Sequence, residues 1–354
     1  MKVHNFSAGP CILPKEVMAK AAEAVVEYNN SGLSIIEMSH RSKDFIEVMD
    51  KAVGLVRDIL EVPSGYEILF LQGGASLQFS MVVQNLLPIN GKSAYINTGT
   101  WASKAIKEAK MFGEVEVVAS SKDKNFSYIP KNIKVGNDTA YLHFTSNNTI
   151  SGSQFKEYPK VQVPLVVDMS SDIFSKKINV ADFDLIYAGA QKNIGPAGAT
   201  LVIVKKSVLG KTSRIIPSML DYKNHADKES MFNTPPCFSI FVCMLNLEWL
   251  KTKGLGTIEK ENNEKAALLY AEIDRNPLFE GPVNTEDRSV MNPTFVLKND
   301  SLNAGFLALA QQKGLNGIKG HRSVGGFRAS MYNALPLSSV QVLVDTMKEF
   351  EKLN

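Results

Sequence analysis

The stretch IYAGAQKNIGPAG, residues 186–198, decides how the fold is read. Ile186 and Tyr187 close an apolar run. Gly195, Pro196 and Gly198 then punctuate a turn before a second apolar run, ATLVIV at 199–204. Between them stands Lys192. A lysine in such a place either runs its stem along the surface and reaches back to water, or is kept beside the sheet for chemistry.

The same kind of apolar run recurs as YEILFL (66–71), AYIN (94–97), AYLHFT (140–145), VPLVVD (163–168) and LIYAG (185–189). Their near-continuous apolar character suits strands covered on both faces. Helical patterns alternate with them. After QGGAS, Phe79, Val82, Val83 and Leu86 fall at i, i+3, i+4 and i+7, and TWASKAIKEAKMF (100–112) reads as another helix. The alternation predicts an α/β fold with a largely parallel central sheet. From 239 the pattern changes to a long helical stretch that Gly254 and Gly256 are expected to break. MNPTFVLKN then reads as a strand, AGFLALAQQKG as a helix and FRASMYN as a strand. A last helix carries Val340, Leu343, Val344 and Met347 on one face. This predicts a large domain over 16–255 and a smaller α+β domain built from 1–15 and 256–354.

With 354 residues, 44% hydrophobic and 21% charged, the chain has the composition of an ordinary globular protein. A net charge of +3 gives no footprint for nucleic acid or an anionic membrane. The N-terminus MKVHNFSAGPCILP lacks an apolar signal core, and no run of about eighteen apolar residues occurs, so a cytoplasmic protein is expected. Cys11, Cys237 and Cys243 have no CxxC or zinc spacing; buried packing is the role expected of each, with no metal site.

In a parallel α/β sheet, ligands bind beyond the carboxyl ends of the strands. Those ends carry Gly73 to Ser76, Thr98 to Trp101, Thr145 to Thr149, Asp168, and Gln191 with Lys192. Each has an ordinary reading. GGAS can be a plain strand-to-helix turn or a phosphate cradle at a helix N-terminus. Asp168 can be a cap, Trp101 a core residue and Lys192 a surface lysine. Together they match one cofactor, pyridoxal phosphate, which needs a lysine amine for its aldehyde, a carboxylate for its ring nitrogen, a flat aromatic face and a phosphate cup.

These residues carry a wider pattern. NFSAGP (5–10), SHRS (39–42), QGGAS (72–76), NTGTW (97–101), VVDMSSD (166–172), AGAQKNIGPAG (188–198), MFNTPP (231–236) and GHRSVGGFRASMYNA (320–334) span the chain. By them the sequence resembles the phosphoserine aminotransferases, class V pyridoxal-phosphate enzymes of fold type I. The resemblance implies that Lys192 bonds the cofactor and shuttles the proton, Asp168 pairs with the ring nitrogen, Trp101 stacks on the ring and Thr149 bonds its hydroxyl. It implies that Ala75 and Ser76 hold the phosphate by backbone N–H groups, with Gln191 beside them. Asn233 and Thr234 would reach the same phosphate from a partner subunit, in an obligate homodimer with shared sites. Where this chain has GGASLQF, relatives often carry a longer glycine run with an arginine; contacts through backbone N–H groups are expected to survive that difference.

Two pairs, His40-Arg41 and His321-Arg322, and the lone Arg328 stand out in a chain of five histidines. Singly each pair reads as a solvated face. As a set they suit a dianion, because arginine forks bind phosphate and carboxylate in pairs of hydrogen bonds. The resemblance assigns Arg328 to the substrate α-carboxylate and His321 and Arg322 to the substrate phosphate, joined by His40 and Arg41 from the other subunit. The same cluster would take the side-chain carboxylate of L-glutamate, so that one site serves glutamate and O-phospho-L-serine in turn, for serine biosynthesis and also, in the family, for a phosphorylated oxo acid of vitamin B6 synthesis. GHRSVGGFR could move as a lid. Rival readings are another class V enzyme such as an alanine–glyoxylate aminotransferase or a cysteine desulfurase, a non-catalytic binding protein, and a nicotinamide oxidoreductase. None of the cysteines is expected to stand where a desulfurase needs one, and no GxGxxG motif supports the oxidoreductase.

Overall fold

A computed structural model describes residues 2–354. The chain begins with a two-residue strand, β1 (His4–Asn5), and two helices, α1 (Lys15–Val26) and α2 (Lys43–Ile59). Strands and helices then alternate through β2 (Tyr66–Leu71), α3 (Gly74–Leu86), β3 (Lys92–Asn97), α4 (Thr100–Ala109), β4 (Glu114–Ser120), β5 (Thr139–Thr145), β6 (Leu165–Asp168), β7 (Leu185–Gly189) and β8 (Thr200–Lys205). A short α5 (Tyr222–Ala226) leads to α6 (Cys237–Lys253) and α7 (Leu255–Arg275). The remainder is β9 (Phe279–Glu280), β10 (Thr294–Leu297), α8 (Asn303–Gln312), β11 (Leu315–Asn316), β12 (Phe327–Arg328) and α9 (Leu337–Leu353).

Seven strands form the central sheet in the order β2-β8-β7-β6-β5-β3-β4. Strands β7, β6, β5, β3 and β4 are parallel, and only β8 runs against its neighbours β2 and β7. The fold is therefore α/β with a mostly parallel sheet. Apolar side chains from α1, α2 and α6 cover one face, and those of α3 and α4 cover the other. Burial on both faces is why these strands read as unbroken apolar runs. β4 is the exception: EVEVVAS lies at the sheet edge with its charged residues in solvent, so it alternates and carries no apolar run.

The helical stretch breaks only at Gly254, whose φ of 79° suits glycine; Gly256 lies inside α7. Leu255 and Ile258 of α7 pack into the core under the sheet, while Ala266, Leu269 and Ile273 pack with Phe6, Phe295, Phe327 and the α9 face into a second core. The N-terminal strand joins that second region, His4 pairing parallel with Leu315. FRASMYN is a ladder strand only at Phe327–Arg328; Ala329 to Asn333 form a buried connecting run instead. No helix among the described residues is long and apolar enough to cross a membrane.

Candidate active site

Strand register sets the site. Thr145 pairs with Asp168, and Asp168 with Tyr187, so the carboxyl ends of β5, β6 and β7 lie level. Just past β7 the chain turns back, with the N–H groups of Ile194 and Gly195 donating to Ala190 O at 3.3 and 2.8 Å. That turn aims Lys192 into the protein. Its side chain is 8% exposed, and its Nζ donates to Thr149 Oγ1 at 2.6 Å. Burial penalises the ammonium and pulls the amine down to about 8, against the opposing pull of Asp168. Lys192 is thus an internal lysine with an accessible free-base form.

The N-terminal segment closes the turn from outside. Cys11 N–H donates to Gln191 O at 3.2 Å, and the Cys11 thiol donates to Lys192 O at 2.8 Å. Only Cys243 is fully buried; Cys11 and Cys237 are half-buried, and Cys11 lies against the lysine turn rather than away from it. Buried packing alone therefore does not describe Cys11. Desolvation pushes its thiol up to about 12, so it stays protonated and is a poor nucleophile.

Asp168 is 4% exposed, and its Oδ1 accepts the Ser170 N–H at 2.9 Å. Burial raises its pKa, the Ser170 hydrogen bonds and Lys192 opposing. A carboxylate in that setting calls for a cationic N–H facing it. Asp172, four residues on, is also buried and raised for the same reason, and it accepts hydrogen bonds from Ser146 Oγ and Gln154 Nε2.

Around this pair the rim is built for a flat anionic group. Gly73 has φ 85° as the residue capping α3, and a Cβ there would fall 2.5 Å from Leu77 Cδ2, so the turn requires glycine. The turn leaves the first amides of α3, with half-buried Ala75 and exposed Ser76, free of intrahelical partners. Trp101 is half-buried in the first turn of α4, and its Nε1 is buried with no partner. Lys104 Nζ lies 4.4 Å from the Trp101 ring centroid. Asn233 Nδ2 donates to Gln72 Oε1 at 3.3 Å and Gln72 Nε2 to Thr234 O at 3.0 Å, which holds MFNTPP beside the end of β2.

Arg328 enters from the second region. Its Nη1 donates to Thr149 O at 3.1 Å while its Nε is buried and unpartnered. Lys192 and Arg328 therefore share Thr149, one through the hydroxyl and the other through the carbonyl. Half-buried His321 bonds Ser323 Oγ through Nδ1 at 2.7 Å, and its pKa is lowered by desolvation and then by Arg328, Arg322 and Lys104. Arg322 is exposed. A cavity of ≈ 620 Å³ opens beside Arg328, lined by Thr100, Lys124, Phe126, Ser323 and Gly325 among others. His40 Nε2 is buried without a partner and Arg41 is exposed, its backbone N–H bonding only Ser39 Oγ at 3.2 Å. The structure thus brings Lys192, Thr149, Asp168, Arg328 and His321 together. His40, Arg41, Asn233 and Thr234 make no hydrogen bond to that group. Sequence reasoning passed over Ser170, Asp172, Asn193 and Lys104; the first three lie inside the quoted motifs VVDMSSD and AGAQKNIGPAG, which was the available signal. Among the described residues no cluster of three or more histidine, cysteine or acidic side chains is arranged to hold a metal.

A buried lysine and carboxylate at the carboxyl rim of a mostly parallel seven-stranded sheet, beside a glycine-capped helix N-terminus, define a pyridoxal-phosphate transferase of fold type I. A family model described as aminotransferase class-V matches residues 3–343, and the chain belongs to that family, within it to the phosphoserine aminotransferases. It is 60% identical to the phosphoserine aminotransferase of Flavobacterium psychrophilum over 99% of both chains, and 56% identical to that of Bacteroides fragilis over 100% of both. Among solved structures, the phosphoserine aminotransferase of Bacillus circulans subsp. alkalophilus superposes with a TM-score of 0.97 at 43% identity over 99% of both chains. The pyridoxal-phosphate-bound enzyme of Trichomonas vaginalis superposes at 0.94 and 38% identity, over 98% of this chain and 100% of the other.

Proposed function

We propose that the chain transfers an amino group from L-glutamate to 3-phosphooxypyruvate, giving 2-oxoglutarate and O-phospho-L-serine, in two half-reactions that use one site. The observation that carries this reading is Lys192 Nζ, buried, 2.6 Å from Thr149 Oγ1, beside buried Asp168 and tied through Thr149 to Arg328.

The residues fit pyridoxal phosphate. Asp168 offers a desolvated carboxylate for a protonated ring nitrogen, Trp101 an aromatic face whose Nε1 lacks a protein partner, and the start of α3 an anion site at Ala75 and Ser76, to which the family resemblance adds Gln191. When bound, the cofactor supplies the electron sink that makes the Cα proton of an amino acid removable. Lys192 is the base and acid for that proton. Its lowered pKa leaves a useful share of free amine at neutral pH, which an unperturbed lysine lacks. Thr149 orients the amine when it is free. Arg328 clamps the α-carboxylate so that Cα faces Lys192. His321 and Arg322 bind the phosphate, or the distal carboxylate of glutamate, with His40 and Arg41 of the partner subunit. Asn233 and Thr234 of the partner subunit complete the phosphate cup, so the working form is a homodimer. The division into domains at 16–255 against 1–15 with 256–354, and a cytoplasmic location, belong to the same proposal.

The test is the absorbance spectrum of the purified protein with pyridoxal phosphate, titrated separately with O-phospho-L-serine, L-glutamate and L-alanine. The visible band of the lysine-bound cofactor should convert with phosphoserine and glutamate and resist alanine. Conversion by alanine in preference to both would move the activity to another class V transferase. Absence of the band would remove the role of Lys192.

A further inference from the structure

Two quoted motifs contain an asparagine that the reaction does not use: Asn193 in AQKNIGPAG and Asn333 in FRASMYNA. In the fold, 140 residues apart, they meet. Asn193 Oδ1 accepts the Asn333 N–H at 3.1 Å, and Asn193 Nδ2 donates to Ile173 O at 3.0 Å. Asn193 follows Lys192; Ile173 lies in the turn after Asp168; Asn333 ends the buried run that follows Arg328. One side chain, 3% exposed, therefore ties together the three segments that carry lysine, carboxylate and arginine.

The ties are doubled on each side. Asn333 Nδ2 donates to Phe174 O at 3.0 Å and its Oδ1 accepts from Asn262 Nδ2 of α7 at 2.9 Å. Asn246 Nδ2 of α6 donates to the carbonyls of both Asn193 and Ile194 at 2.9 Å. Phe174 holds φ 59°, an uncommon conformation for a large side chain, kept where its carbonyl meets Asn333. Stability alone does not ask for this arrangement, since apolar packing could fill the space between the two cores. A fixed distance between Arg328 and Lys192 does ask for it.

We infer that Asn193 is a positioning residue: through Asn333 and Ile173 it holds Arg328, Lys192 and Asp168 in one register, so that a carboxylate gripped by Arg328 presents its α-carbon to Lys192. This rests on the function proposed above. Removing the link lets the Arg328 arm drift by a fraction of an ångström to an ångström, which costs proton transfer more than binding.

The experiment compares Asn193→Ala and Asn193→Asp with wild type. Asp keeps the Oδ1 acceptor for Asn333 and loses the donor to Ile173. Asn193→Ala should lower kcat for glutamate by about tenfold to a hundredfold with a smaller change in KM, and raise the isotope effect from α-deuterated glutamate. In the cofactor-free protein, hydrogen exchange at the Asn333 amide should quicken in Asn193→Ala and stay near wild type in Asn193→Asp, which should also recover part of kcat. A wild-type kcat in Asn193→Ala, or equal losses in the two variants, overturns the inference. If Asn193→Ala does not fold, Asn193→Leu fills the same space without either the Asn333 or the Ile173 hydrogen bond; an unchanged kcat and isotope effect there also overturns it. A wild-type protein that cannot exchange amino groups with glutamate would remove the proposed activity instead. The exchange arm, run without cofactor, would still decide whether the wiring exists.

Discussion

Two lysines are buried in this molecule, and their surroundings separate chemistry from architecture. Lys192 at the sheet rim is 8% exposed, and Lys265 on α7 is 1% exposed. Desolvation pulls both down, to about 8 and about 7. By the size of the shift alone, Lys265 would be the better active-site candidate. Its Nζ, however, donates to Met331 O and Tyr332 O at 3.1 and 3.0 Å, two backbone acceptors that cannot react. Lys192 faces a hydroxyl, a carboxylate and, through Thr149, an arginine with an open cavity beside it. A perturbed pKa marks a functional site only when the groups facing the amine can take part in a reaction.

The widest separation between the two is expected from truncation. Lys192→Ala should lose turnover by at least about 10⁴-fold, because no other side chain at the site can carry the proton. Lys265→Met should keep kcat within about tenfold. Steady-state rates with glutamate and the phosphorylated oxo acid check both. Comparable losses in the two variants would erase the distinction drawn here.

A second cut tests the partner of each lysine. Asp168→Asn should lower kcat by roughly 10²–10³-fold, as expected for removing one well-placed electrostatic group. The same change should raise the melting temperature of the cofactor-free protein at pH 7. The sign follows from burial: the folded-state pKa of Asp168 is raised, so its ionised form costs stability above the ordinary carboxylate range. Calorimetry without cofactor and kinetics with it should therefore move in opposite directions. A cofactor-free protein destabilised by Asp168→Asn would mean that the carboxylate is already compensated by groups other than those described.

A smaller contrast lies within the basic cluster. Arg328 is half-buried and bonded to Thr149 O, while Arg322 is exposed on the turn closed by the Val324 and Gly325 N–H groups on His321 O. Arg328→Ala should lower kcat/KM for glutamate by about a hundredfold or more, the cost of losing a desolvated charge partner. Arg322→Ala should cost about tenfold, mostly in KM for the phosphorylated substrate, and added salt should shrink that gap. Equal, salt-independent losses would place Arg322 in a closed pocket during turnover.

The sequence made the rim legible and left the wiring hidden, for physical reasons. Residues at the ends of β5, β6 and β7 could be found because buried strands announce themselves as apolar runs and the polar residue that follows marks the rim. Glycines at 73 and 74 announced the helix start in the same way. β4 escaped because its exposed Glu114 and Glu116 interrupt the apolar run. The run from Ala329 to Asn333 looked like strand because it is buried, yet beyond Arg328 it hydrogen-bonds to separate carbonyls, Ala329 N–H to Pro293 O and Met331 N–H to Met291 O. The contact between Asn193 and Asn333 leaves no periodic trace, since hydrogen bonds between distant segments follow no repeat. His40, Arg41, Asn233 and Thr234, which the resemblance assigns to a partner's site, make no hydrogen bond to the Lys192 group within the chain.

The smallest expected effect is in the pH dependence of stability, and it sharpens the same pair of lysines. An unfolded lysine titrates near 10.4, whereas burial pulls Lys265 down to about 7 in the folded chain. Between those values the unfolded state binds the extra proton, so stability rises with pH, by up to about 1.4 kcal/mol per unit for one such group. Lys192 adds a rise of the same sign that begins near pH 8 in the cofactor-free protein. The buried thiols act oppositely above about pH 8.5, since Cys11 and Cys243 stay protonated in the fold when an unfolded thiol would ionise. The useful window is therefore pH 7 to 8.5, and the useful quantity is a difference between variants, in which the thiols cancel. Denaturant unfolding of cofactor-free protein should show wild type gaining about 1–2 kcal/mol on Lys265→Met across that window. Lys192→Met should give a smaller difference, concentrated at its upper end. Equal differences would mean that the two amines are desolvated alike, and that the carboxylates of Asp168 and Asp172 have no part in keeping the Lys192 pKa the higher of the two.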